Sequence, residues 1–325
     1  MEVLYGLHPV SEALKAGRRR FDHVLVARER HDDRLDRVIA QCRDAGIRVR
    51  EESREQLTLA ANTPAHQGVV ALVRPQEFLT IEDLFEPDPA STKSPAGTSA
   101  SRLVLAIDGV EDPQNLGALL RVADGAGVDG VLLTERRSAP LSPAAVKASA
   151  GAAEHLRIAR VVNLVRSLEE LKKHNLWIVG LDAGGPDSDG LAAGVAKLGQ
   201  TAGHTPRGPA AGPTPRGSAA DPTPRGSAAG PNPYDQFDFT GDLVIVLGSE
   251  GAGLHDLVRR TCDHLLHIPM AGGVSSLNVS AAGAVVLYEA ARQRRATANS
   301  KSGTANALTT RPTASKPKKQ KGLGS

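Results

Sequence analysis

The chain has 325 residues, 40% of them apolar, and a formal net charge of +3. That length holds two domains with ordinary cores, and the small basic balance is compatible with nucleic acid without requiring it. Aromatics at 3% argue against a base-stacking single-strand platform, two cysteines exclude a disulfide framework, and no apolar run reaches the ~20 residues of a membrane span.

Met1–Tyr5 lacks the basic start and apolar stretch of a signal peptide, so a cytoplasmic protein is expected. Residues 1–76 then alternate helix and strand. Val10–Ala16 reads as a short helix ending at Gly17, His23–Ala27 as a strand, and Asp32–Ala45 as a helix closed by Gly46. Ile47–Arg50 is a second strand, Gln56–Ala61 a short helix, and Gly68–Val73 a last strand before Pro75. The alternation predicts a small α/β domain. Residues 77–101 hold one helical turn at Ile81–Phe85, followed by the Pro, Ser, Ala and Thr of a flexible linker.

Alternation resumes over residues 102–295. Leu103–Ile107, Val131–Thr134, Ile158–Val161, Trp177–Leu181, Leu243–Leu247 and Leu265–Ile268 read as strands. Leu116–Ala126, Leu164–His174, Leu254–Arg260 and Leu277–Arg295 read as helices, and Ser142 with Pro143 opens another. The pattern is interrupted over about 186–233. There a unit Thr-Pro-Arg-Gly-(Pro/Ser)-Ala-Ala-(Gly/Asp)-Pro begins at Thr205, Thr214 and Thr223. Nine residues without a bulky apolar side chain cannot bury a core, so this is a disordered insertion rather than a solenoid. From Ala296 to Ser325 no acidic residue occurs, and the stretch reads as a basic disordered tail that attracts RNA or aids solubility.

Gly125–Gly130 has the GxGxxG spacing of a dinucleotide site, but it follows a helix and enters a strand. It is a helix C-cap and turn instead. Cys262, His264 and His267 match no zinc spacing, and no metal is expected. No nucleophile elbow or phosphate-cradling loop is present in the sequence. Three polar, glycine-bearing loops do follow strands, where open α/β sheets build ligand sites. They are Ile107–Arg121 (IDGVEDPQNLGALLR), Leu247–Leu254 (LGSEGAGL) and Ile268–Ser280 (IPMAGGVSSLNVS). Taken singly, Asn115 reads as a helix N-cap and Ser275 or Ser276 as another. Glu250 among three glycines would repel a phosphate and suits a ligand with cationic groups or hydroxyls, a description S-adenosylmethionine fits.

Together, in order and spacing, the three loops resemble the motifs of the SpoU (TrmH-like) RNA ribose 2′-O-methyltransferase family over about residues 102–295, the insertion apart. Tyr5–Val10 and His66–Val69 extend the likeness to the family's L30e-like substrate-binding domain. Ile268–Ser280 looks most like the branch that methylates a guanosine of bacterial 23S rRNA. The resemblance implies an α/β, trefoil-knotted methyltransferase domain, S-adenosylmethionine as cofactor, an RNA partner and a homodimer. It places Asn115, Arg121, Glu250, Ser276 and Asn278 on catalytic positions, and Gly248, Ile268 and Leu277 in the cofactor pocket. Arg121 is expected to stabilise a developing alkoxide, since a guanidinium stays protonated; the proton acceptor stays open. Alternative readings are a tRNA or other rRNA methyltransferase, or a non-catalytic RNA-binding assembly factor. The repeats and the tail are outside the family pattern.

Overall fold

The computed structural model describes residues 1–87, 101–182 and 231–309. The nine-residue repeats, most of the linker and the tail beyond Thr309 lie outside the described residues. Strands β1 (Glu2–Tyr5), β2 (Phe21–Ala27), β3 (Arg48–Glu52) and β4 (Val69–Val73) alternate with helices α1 (Leu7–Ala16), α2 (Asp33–Asp44) and α3 (Arg54–Ala61). The strands form one sheet in the order β1-β4-β2-β3. Capping fixes the helix ends: the Asp32 side chain accepts from Arg34 N and Leu35 N, that of Ser53 accepts from Gln56 N, and Gly17 closes α1 in the left-handed conformation. Sequence reading finds no strand at Glu2–Tyr5. Four residues carry too little periodicity, and β1 forms by antiparallel pairing with the distant β4.

The second sheet uses β5 (Leu103–Ile107), β6 (Gly130–Thr134), β7 (Ile158–Val161), β8 (Trp177–Leu181), β9 (Asn232–Pro233), β10 (Leu243–Leu247) and β11 (His264–His267). Around it lie α4 (Pro113–Ala126), α5 (Pro143–Ala148), α6 (Leu164–Lys173), α7 (Asp256–Thr261) and α8 (Val279–Thr309). The order is β7-β6-β5-β10-β8-β11-β9, with every pairing parallel. All five residues of β5 and of β10 are buried, as parallel strands covered on both faces require. Gly127 closes α4 in the left-handed conformation and β6 starts at Gly130, so the GxGxxG stretch is indeed a cap and turn.

Two glycines allow close helix approach. A Cβ on Gly117 of α4 would stand 2.4 Å from Ala148 Cβ of α5, and one on Gly283 of α8 would stand 2.5 Å from Leu119 Cδ2 of α4. The tail expected to be disordered from Ala296 is helical as far as Thr309. Ala296, Ala298, Ala305 and Ala307 favour helix, and no proline intervenes before Pro312.

Candidate active site

Strand register brings the three loops to one level. Ile107 pairs with Leu247, and Leu247 with Leu181, so β5, β10 and β8 end side by side. Leu266 of β11 lies opposite the same Leu181. The chain therefore leaves four neighbouring strands at the same edge, and the segments after them converge.

At this edge Asn115, Glu250 and Asn278 form a closed polar cluster. Asn115 Nδ2 donates to Glu250 Oε2 at 2.9 Å, and Asn278 Nδ2 donates to Asn115 Oδ1 at 2.9 Å and to Glu250 Oε1 at 3.3 Å. Both carboxylate oxygens of Glu250 are thus held by amide donors from two different helix starts. The caps differ from the sequence expectation. Asp112 caps α4, accepting from Asn115 N at 2.9 Å with Pro113 in the first turn, which frees the Asn115 side chain for the cluster. Asn278, rather than Ser275 or Ser276, caps α8: its Oδ1 accepts from Ser280 N at 2.9 Å. One side chain thus starts a helix with its oxygen and holds Glu250 with its nitrogen.

Beside the cluster opens a cavity of about 180 Å³. Gly248, Glu250, Ile268, Ser276 and Leu277 line it, together with Asp182. Its floor depends on glycine. A Cβ on Gly248 would lie 2.2 Å from the carbonyl carbon of Gly253, with which the loop closes through Ser249 N to Gly253 O at 2.9 Å and Gly253 N to Ser249 O at 3.0 Å. Gly251 and Gly253 take φ of 84° and 67°, a conformation side chains disfavour. Glu250 stands at the tip of this tight loop.

Arg121 is the expected site residue that the fold does not bring to the cluster. It is exposed on α4 and makes no hydrogen bond or ion pair among the described residues. Six residues past Asn115 is nearly two turns, on another part of the helix surface. Three residues outside the sequence expectation also belong to this edge. Asp108, 5% exposed, accepts from His255 N at 2.9 Å and faces His255 Nδ1 at 2.9 Å, tying the loop after β5 to the start of α7. Asp182 extends β8 into the cavity. Arg259 Nε lies 2.9 Å from its Oδ2 but off the hydrogen-bonding direction, so that buried oxygen is ion-paired without a hydrogen bond. The signal for both aspartates was their position as the first residue after a buried strand. Cys262, His264 and His267 go elsewhere. Burial pushes the Cys262 thiol up to about 12, His264 packs on Trp177 and Phe237, and His267 Nδ1 lies 2.7 Å from Pro231 O.

Residues 3–79 match the family described as RNA 2′-O ribose methyltransferase substrate binding, and residues 102–197 and 223–288 match the SpoU rRNA Methylase family. Among similar proteins are those named 23S rRNA (guanosine-2′-O-)-methyltransferase RlmB from Vibrio vulnificus and Escherichia coli. The first is 36% identical over 91% of this chain and 98% of its own, the second 37% identical over 90% and 99%. Among solved structures, the SpoU methyltransferase AviRb from Streptomyces viridochromogenes in complex with AdoMet superposes with a TM-score of 0.62 at 22% identity, covering 90% of both chains. An AdoMet-bound rRNA methyltransferase from Sinorhizobium meliloti gives 0.61 at 22% identity, covering 90% of this chain and 87% of that one. At these identities the structures attest the fold.

Proposed function

This chain belongs to the SpoU RNA 2′-O-ribose methyltransferase family, and from that membership we propose that it methylates the ribose 2′-hydroxyl of a guanosine in 23S rRNA, with S-adenosylmethionine as donor. The observation that carries the reading is the Asn115–Glu250–Asn278 cluster on the rim of the cavity. The names of relatives that cover nearly the whole chain supply the substrate.

The residues fit the cofactor. Leu181, Ile268 and Leu277 offer apolar walls to an adenine, and Gly248 lets backbone approach closely. The carboxylates of Asp182 and Glu250 suit an ammonium or ribose hydroxyls and disfavour a phosphate. S-adenosylmethionine, when bound, supplies an electrophilic methyl on its sulfonium. The chain's part is to align the acceptor hydroxyl and stabilise the charge it develops. Asn115 and Asn278 hold Glu250 rigid, Ser276 adds a hydroxyl to the wall, and Arg121 serves as electrostatic partner of the alkoxide, since a guanidinium stays protonated.

The chain works as a homodimer in this reading, because exposed, unpaired Arg121 is too far along α4 to join its own cluster and is supplied to a second copy. In this reading the methyltransferase domain carries a trefoil knot, and the strand order, with β10 between β5 and β8 and β11 beyond β8, agrees with it. Residues 1–76 act as an L30e-like RNA-reading domain, and an rRNA target places the protein in the cytoplasm. No helix among the described residues is long and apolar enough to cross a membrane.

The test is to incubate the purified chain with S-adenosylmethionine and unmodified 23S rRNA, digest to nucleosides and identify the product by mass spectrometry. A 2′-O-methylguanosine at one position is expected. Product found in tRNA alone, on another nucleoside, or nowhere would reject the substrate, and the last outcome favours a non-catalytic RNA binder.

A further inference from the structure

A second cleft of about 320 Å³ lies beside the cavity, on the β5 side of the Glu250 loop. Ser249, Glu250 and Val279 line both spaces, so they share a wall. The strand order explains the pair. The first cavity lies over the ends of β10, β8 and β11, and the second over the ends of β10, β5 and β6. Asn115 and His255 stand in the second cleft, and Arg137, from the loop after β6, completes it.

Arg137 is unusual in three ways. Its φ is 59°, the left-handed region that arginine rarely enters. Its side chain is exposed and makes no hydrogen bond or ion pair among the described residues. The turn that carries it is nevertheless tied on both sides. Glu135 N donates to Val161 O at 2.9 Å, Thr134 Oγ1 and Ser138 Oγ share a hydrogen bond at 2.5 Å, and Ala139 N donates to Val110 O at 2.7 Å. A strained backbone held by its surroundings, presenting an uncommitted guanidinium to a cleft, is the pattern of a ligand contact.

The cleft lining carries two chemically different groups. One is the amide and carboxylate cluster of Asn115 and Glu250, which suits hydroxyls. The other is a planar cation, which suits a phosphate in two-point contact. A ribose with its attached phosphodiester carries both groups. We propose that this cleft is the acceptor-nucleotide subsite and that Arg137 takes the phosphodiester of the methylated nucleotide, placing its ribose against the wall shared with the cofactor cavity. The assignment rests on the methyltransferase reading above. It makes Arg137 a substrate-positioning residue from a loop that none of the three motifs includes. The exposed carboxylates of Glu111 and Asp112 line the same cleft and work against a phosphate beside them, so the anion is taken at the Arg137 guanidinium.

The experiment uses the full chain and an in vitro transcript of 23S rRNA. Filter binding, methyl-transfer kinetics and S-adenosylmethionine calorimetry are run on Arg137→Gln, Arg137→Gly and, as a charge control away from the cleft, Arg166→Ala. Glycine accepts the left-handed φ freely, so Arg137→Gly should melt at or above the native temperature. Both Arg137 variants should raise KM for the transcript about 10- to 100-fold with kcat within about two-fold. Their log–log salt dependence of binding should flatten by about 0.7–0.9, one phosphate contact. Cofactor affinity should not move, and Arg166→Ala should match the native chain. Native KM and salt slope in either Arg137 variant overturns the assignment, as does loss of cofactor affinity along with RNA affinity. If the Arg137 variants weaken transcript binding but even the native chain transfers no methyl, the methyltransferase reading fails while the anion contact stands. No transcript binding by the native chain removes both.

Discussion

Asn278 shows how much one side chain can carry at this edge. Its oxygen caps α8 through Ser280 N, and its nitrogen reaches Asn115 and Glu250. The two duties separate by substitution. Asn278→Ala loses both, so it should lower stability by about 1 kcal/mol, the worth of an N-cap, and slow methyl transfer on the order of 100-fold through a loosened Glu250. Asn278→Asp keeps a capping oxygen beside the helix N-terminus but turns a second carboxylate toward Glu250. It should melt close to the native temperature and be at least as slow as the alanine variant. Thermal melts set beside single-turnover rates distinguish the two. An aspartate variant with native turnover would show that the amide donor has no part in the chemistry. The cluster also marks a limit of sequence reading at this scale. Asn115, Glu250 and Asn278 are each visible as polar residues beside a helix start or among glycines, but several neighbours could equally have been the caps. Only the fold decides that Asp112 and Asn278 take those roles, and that Asn115 is left free to face Glu250.

Among elements, the loop after β10 is the most constrained by backbone. Gly248 has no room for a Cβ because the obstructing atoms are the Gly253 carbonyl and Leu254 N, which cannot rotate away. Gly248→Ala should therefore open the loop, cost about 1–3 kcal/mol in urea unfolding, and weaken S-adenosylmethionine binding measured by calorimetry. Unchanged cofactor affinity would remove the loop from the binding site. Helix α8 is anchored differently. Gln293 accepts from Phe239 N and donates to Phe237 O and Glu289 Oε1, at 2.9, 3.0 and 2.9 Å. Hydrogen bonds from Arg292 and Gln293 hold Glu289 at about 2, below its ordinary 4.5. A carboxylate depressed on folding contributes stability that is complete above the unfolded value and lost as pH falls toward the folded one. The native chain should lose more stability than Glu289→Gln between pH 4.5 and 2, with the two curves parallel above pH 5.5, as read by urea titration at each pH. The strands of the large sheet were the most legible elements. Leu103–Ile107, Trp177–Leu181 and Leu243–Leu247 are the uncharged apolar runs that a doubly covered parallel sheet demands, and their observed bounds coincide with the runs. The far end of α8 was illegible because Ala-rich polar sequence supports a helix without apolar periodicity.

At the scale of the whole molecule, the first sheet is joined to the second through Arg19. Its guanidinium donates to both Glu154 oxygens, to Glu2, to Arg74 O and to Gln76, so that every N–H of the fork has a partner. Arg19 and Glu154 side chains are 3% and 1% exposed. Arg19→Ala would strand a buried carboxylate at the junction and should cost about 3–5 kcal/mol. Arg19→Lys should recover little of it, since three donors on a point charge cannot replace a planar fork. Chemical unfolding of the full chain measures both. The junction matters because it fixes the first 76 residues relative to the cleft edge, and hence where bound RNA can lie. Within one chain the cleft edge holds Glu250 and its amides, while Arg121 is exposed on α4 and outside the cluster. This leads to a mixing experiment. Arg121→Ala and Glu250→Ala should each abolish transfer alone. If Arg121 serves the partner's cavity, a mixed dimer has one site with both groups and one with neither. Random exchange of equal amounts would then restore about one quarter of native activity, because half the dimers are mixed and each holds one whole site. If Arg121 serves its own cavity, each site in the mixed dimer lacks one group and mixing restores nothing. Activity assayed after co-refolding the two variants separates these outcomes, and no recovery would assign Arg121 to the cavity of its own chain.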